Sequence, residues 1–191
     1  MQASPVYALN TVLFPGCRLP LQIFEQRYIE MVKNCLKQDS GFAVVLLREG
    51  SEVGAPAPIF EVGTYARIVD WTSLENGLLG ITVEGEERVR IHSDSVQPDN
   101  LRLGELESLL ERDIPMSEQI MVFTALLKQL EEHPLNQRTG ATVDYSNPNK
   151  VIWALCQLLP FSNAQQQELL ELDDPELCLR TLDGMLRELE G

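Results

Sequence analysis

The rhythm of apolar and polar positions changes once along this chain. From Phe42 to about Leu110, short apolar runs such as FAVVLLR, IFEVG, TYARIVDWT, LLGITVE, RVRIH and LRLGELESL are separated by turn-rich stretches such as EGSEVGAPAP and SDSVQPDN. Several runs alternate with period two, Tyr65, Arg67, Val69 and Trp71 against Ala66, Ile68 and Asp70, which predicts half-buried strands. Asn76-Gly77 predicts a hairpin turn, and Gly85 a second tight connection. One helix is predicted here, about Glu25 to Lys37, where Phe24, Tyr28, Val32, Cys35 and Leu36 recur at helical spacing and Gly41 lies just past the end. About six strands with one helix predict a curled sheet or small barrel.

From Met116 onward the period becomes helical. Ser117 precedes EQIMVFTALLKQLEEH, which stops at Pro134, and Asn147-Pro148 opens a helix through VIWALCQLL that ends at Pro160. Ser162 with Gln165 makes a capping box, and Asp174-Pro175 starts a last helix carrying Leu179, Leu182, Leu186 and Leu189 on one stripe. Such a stripe is expected in the core of a bundle rather than in a partner zipper, and both monomer and dimer stay open. The fold class is therefore α+β: residues 1–112 form the strand-rich domain, and residues 113–191 a bundle of about four helices. The loosest loop of the bundle is expected from Asn136 to Tyr145.

Composition narrows the function classes. A chain of 191 residues with 44% hydrophobic content can bury a real core. No apolar run approaches the roughly 20 residues of a membrane span, and the N-terminus has neither the basic start nor the apolar core of a secretory signal, so a cytoplasmic address is expected. The net charge of -14 argues against a nucleic-acid partner, because phosphate binding needs clustered Lys and Arg. Both halves share the deficit, with 10 basic and 16 acidic side chains in residues 1–112 and 5 and 13 in residues 113–191.

The usual catalytic patterns are missing. No GxxxxGK[ST], GxGxxG or GxSxG occurs, and Cys17, Cys35, Cys156 and Cys178 form no CxxC pair, so neither a metal nor a cofactor is expected. His92 continues the alternation of Arg88 and Arg90 on a strand and reads as solvent-facing; His133 sits at a helix end. Cys17 follows Pro15-Gly16 in a turn but has no local group to lower its pKa. No catalytic residue is assigned, and an enzyme is not expected.

The segment VLFPGCRLPLQIFEQRYIEMV, followed by VGTYARIVDW and ITVEGEERVRI, resembles the start of the N-terminal substrate-recognition domain of Lon ATP-dependent proteases. The likeness is dense over about residues 6–108 and looser in the helices. It implies a strand ending in LFPG, an extended LPL and a helix entered through IFE-x-RY, within a six-stranded, PUA-like pseudo-barrel followed by a helical bundle. The chain stops at Gly191, before any ATPase or protease domain, so a stand-alone domain is expected. The implied role is binding of unfolded or degron-bearing polypeptides, as an adaptor or regulator beside a proteolytic machine. The peptide-binding surface is placed at Phe14, Pro15, Leu19, Pro20, Phe24 and Tyr28, with Leu19 and Pro20 bordering a groove or sheet edge. Structural duties are expected here too: Phe14, Leu21 and Ile23 in the core, Pro15-Gly16 in the turn, and Phe24 and Tyr28 seating the helix. Two other functions compete, an RNA-associated PUA-like protein and a dedicated interaction scaffold. If the helical half is a separate partner-docking surface, truncation near residue 113 should leave a folded barrel and abolish association with that partner.

Overall fold

Six strands and five helices alternate in the order β1 (Ser4–Leu9), β2 (Arg18–Ile23), α1 (Gln26–Gln38), β3 (Phe42–Leu47), β4 (Ile59–Ser73), β5 (Leu79–Val96), β6 (Arg102–Ser108), α2 (Glu118–Glu132), α3 (Pro148–Leu158), α4 (Asn163–Glu171) and α5 (Pro175–Glu190). This computed structural model describes residues 3–74, 78–132 and 143–190. Asn76-Gly77, His133, Pro134 and most of the loop expected from Asn136 lie outside the described residues.

The strands make one sheet in the order β2-β5-β4-β3-β1-β6. β1 and β3 run parallel, the other pairs antiparallel, and the far half of β5 also pairs with β6, so the ladder returns to β5. Where turn chemistry at Gly85 predicted a break, a single strand of 18 residues runs through. Gly85 is needed there for close approach: a Cβ would stand 2.6 Å from the Phe14 carbonyl oxygen and 2.8 Å from Thr64 Cγ2. Its backbone ties down the LFPG turn, accepting from the Gly16 N–H (2.8 Å) and donating to the Cys17 carbonyl (3.0 Å). Gly85→Ala should therefore cost about 1–3 kcal/mol of stability, read as a lower urea midpoint.

The first strand ends at Leu9 rather than running into LFPG. A helical side chain replaces the ladder beyond it: the Phe14 N–H donates to Gln157 Oε1 (3.1 Å), and Gln157 Nε2 donates to the Val12 carbonyl (3.2 Å). α1 lies within a residue of its expected bounds, but its left-handed cap is Asp39 (φ 49°), not Gly41. Gly41 serves packing, since a Cβ would stand 2.1 Å from the Ala66 carbonyl oxygen.

The four C-terminal helices start where their caps predicted. Asn147 accepts from the N–H groups of Asn149 and Lys150, and Ser162 with Gln165 completes the capping box. α3 is buried from Val151 to Cys156, as expected for a helix apolar on all sides. One hydrophobic core spans strands and helices: Phe14, fully buried, stacks on Trp153 of α3 with centroids 5.6 Å apart, in a cluster that also holds Ile23, Phe42, Ile120, Leu155 and Leu182.

Arg88 is a second bridge, and its position overturns the solvent-facing strand pattern. It is only 4% exposed, its Nη1 donates to the carbonyls of Leu170 and Leu172 at 3.0 Å each, and its guanidinium lies over the Trp153 ring. A β5 cation thereby caps the C-terminal end of α4, where carbonyls lack helical partners. His92 on the same strand is exposed as expected, with Nε2 2.7 Å from Glu107.

Candidate functional site

The six residues first assigned to peptide binding separate by exposure. Phe14, Pro15 and Tyr28 are buried. Tyr28 packs on Tyr7 (4.1 Å between centroids) beneath the Arg27 guanidinium. Leu19 is half-buried, whereas Pro20 is exposed and Phe24 is 54% exposed. The accessible part of the stretch is thus strand β2 and the residue just before α1.

Among the described residues β2 pairs with one strand only, β5, with Pro20 opposite Thr82 and Gln22 opposite Gly80. Because the Cys17 carbonyl faces β5, alternation turns the backbone of Leu19 and Leu21 toward β5 and that of Arg18, Pro20 and Gln22 toward the open edge. A proline without an N–H is tolerated there for that reason. It also leaves the edge short of a donor at its centre, so addition of a guest strand to β2 is disfavoured.

β5 continues this surface to β4, which carries a bulge. Ile68 pairs with Val83, Asp70 pairs with Thr82, and Val69 is the extra residue. The inserted residue reverses the alternation predicted for TYARIVDWT: Asp70 and Thr72 join the outer face with Thr82 and Gly80, while Trp71 joins the face of Leu21 and Ile81. The three strands line an open groove of ≈ 330 Å³, bordered by Pro20, Leu21 and Gln22 from β2, Gly80, Ile81 and Thr82 from β5, and Asp70, Trp71, Thr72 and Leu74 from β4 and its end. At its base the buried Gly80 lies close under Thr72 and Leu74, since an added Cβ would stand 3.1 Å from Thr72 Cγ2 and 3.4 Å from Leu74 Cδ2. Trp71 is 60% exposed beside it.

Of the groove residues only Pro20 was singled out from sequence. Gly80 inside the run LLGITVE carried a usable signal, because glycine within a strand marks a bulge or a close approach. Asp70, Thr72 and Leu74 carried none, since the bulge that places them is set by pairing.

A larger hollow of ≈ 470 Å³ beside α1 is lined by Glu25, Gln26, Arg27, Glu30, Gly54, Ala55, Asp99 and Asn100. Arg27 is spoken for, donating to the Asn100 carbonyl (2.8 Å) and pairing with Glu25 (2.9 Å). With a charged rim, it suits apolar side chains less well than the groove does.

The four cysteines are buried free thiols. Burial first, then the Glu84 carboxylate, pushes the Cys17 thiol up to about 12, which leaves it protonated at neutral pH and a poor nucleophile. Among the described residues no cluster of His, Cys, Asp and Glu could hold a metal ion, and no helix is long and apolar enough to cross a membrane.

Comparison with known proteins agrees with this architecture. Lon protease 2 of Syntrophobacter fumaroxidans is 28% identical over 190 residues, 95% of this chain and 24% of that protein. Protein cereblon of Danio rerio is 32% identical over 107 residues, 54% of this chain and 24% of that protein. The chain thus spans about a quarter of the length of these relatives. Among solved structures, a Lon N-terminal domain protein from Xanthomonas campestris superimposes with a TM-score of 0.75 at 28% identity, covering 98% of each chain. The N-terminal domain of Mycobacterium avium complex Lon protease shares the fold, with a TM-score of 0.62 at 19% identity over 95% of this chain and 96% of that one. The model of the ATP-dependent protease La (LON) substrate-binding domain matches residues 3–187, and the chain belongs to that family.

Proposed function

We propose that the chain is a non-enzymatic polypeptide-binding module that receives unfolded or degron-bearing segments in the groove across β2, β5 and β4, as an adaptor or regulator of proteolysis. The observation that carries this reading is the groove itself, open to solvent, floored by Gly80 and bordered by the Pro20 ring and Leu74 in a substrate-binding domain family. A bound segment would lie on the sheet face. The return of the ladder from β6 to β5 supports describing the sheet as a PUA-like pseudo-barrel. On this reading residues 1–112 supply the binding surface, and residues 113–191 hold it in shape.

The test is an anisotropy titration against a labelled, permanently unfolded polypeptide, with a folded protein of similar size as control. Saturable binding to the unfolded chain alone is expected. Gly80→Val displaces Thr72 and Leu74 at the groove base and should weaken binding at least about tenfold, with a cooperative melt checking that the variant stays folded. Pro20→Ser removes the ring from the border and should weaken it less. Equal binding by wild type and both variants would overturn the assignment of the groove.

A further inference from the structure

The charges around the groove are unbalanced in a particular way. On the outer face of β2, β5 and β4 the two cations are already matched: Arg18 pairs with Glu84 (2.7 Å), and Arg67 pairs with Glu86 (2.9 Å) and Asp39 (3.3 Å). Asp70 is different. Among the described residues it is the one charged residue lining the groove, it is exposed, and it pairs with no cation. Its Oδ1 accepts the neighbouring Trp71 N–H (2.9 Å), and among the described residues no cation meets the carboxylate. The bulge at Val69 is what turns Asp70 to this side. Around this single carboxylate the whole chain carries a net charge of -14, so the surrounding field has the same sign.

We propose that the groove selects extended segments in which an apolar side chain stands next to a lysine or arginine. This rests on the reading of the groove as a polypeptide site and adds the chemistry of its occupant. The apolar side chain takes the space over Gly80 between Pro20 and Leu74, and the neighbouring cation meets Asp70. Acidic segments are excluded by the same carboxylate and the field behind it. Apolar burial supplies most of the affinity, while the charge supplies discrimination and speed of encounter.

The experiment uses the full chain and peptides of a common Gly-Ser frame with three leucines, in which the residues between the leucines are all Lys, all Gln or all Glu. A fourth peptide keeps Lys and replaces the leucines by serine. Each carries the same zwitterionic dye. The expected order of affinity is Lys, Gln, Glu, with the Lys peptide about tenfold tighter than the Glu peptide at low salt. That ratio should shrink toward unity at about 1 M salt, where the Debye length is near 3 Å. Asp70→Asn should reduce it at least about threefold at low salt. Equal binding of the Lys, Gln and Glu peptides, still abolished by Gly80→Val, would overturn the charge preference and leave the groove standing. Absence of binding by all three leucine peptides would overturn both. Tight binding of the leucine-free Lys peptide, or a preference untouched by Asp70→Asn, would assign the effect to the general field and overturn the role given to Asp70.

Discussion

Cutting the chain after Arg112 is expected to yield a β-rich fragment with no cooperative thermal transition, in place of the folded barrel that the change of periodicity suggested. The helices complete the strand half at several points. Phe14 loses the face of Trp153, the Phe14 N–H and Val12 carbonyl lose Gln157, and the Val62 carbonyl loses Gln167 Nε2 (2.9 Å). Arg88 loses both carbonyl acceptors and becomes an exposed cation on a surface that was core. A fully buried phenylalanine alone accounts for about 3–5 kcal/mol when its surroundings are removed, a large part of the stability of a domain this size. Far-UV circular dichroism with a temperature ramp and an amide NMR spectrum read the outcome. A sigmoidal melt with dispersed resonances would show that the strands fold by themselves.

Arg88→Ala is expected to destabilise the intact chain by roughly 3 kcal/mol, because the carbonyls of Leu170 and Leu172 lose their donor and the stem leaves a void against Trp153. The ion pair with Asp173 (3.2 Å) adds little, since that carboxylate is more than half exposed. Arg88→Met separates the contributions: it keeps the stem and removes the donors, and should recover only part of the loss. Lysine presents one point of charge in place of a fork and should also fall short. Urea unfolding at constant m-value measures all three, and an unchanged midpoint for Arg88→Ala would show that solvent replaces the guanidinium without cost.

What the sequence disclosed and what it hid divide along a physical line. Helix starts were legible at Asn147 and Ser162 because a cap is a local event, in which one side chain meets an N–H two or three residues on. The extent of β5 was not legible. Gly85 has turn chemistry, and the pressure that makes it a packing glycine comes from Phe14, 71 positions earlier in the chain. Arg88 looked like an outward strand residue because alternation assumes that one face is bare, whereas here Val89 and Ile91 fill one buried cluster and α4 covers the opposite face, on which Arg88 lies. The same limit applied to the groove. Pro20 and its neighbours stood out by composition, but three of the residues grouped with them, Phe14, Pro15 and Tyr28, are core. The partners of Pro20 across the groove depend on a one-residue bulge at Val69 that sets strand register and leaves no trace in hydropathy.

If the proposed function holds, Pro20 at the centre of an open strand edge matters for more than contact. Extended, apolar clients held side by side on a bare sheet edge would meet a template for cross-β growth, in which each captured strand offers its own edge to the next. The missing amide proton at Pro20 interrupts that template where a guest strand would have to register. On the proposed function the domain would hold a client by its side chains without becoming the seed of a fibril, and replacing this proline would remove a safeguard as well as a contact.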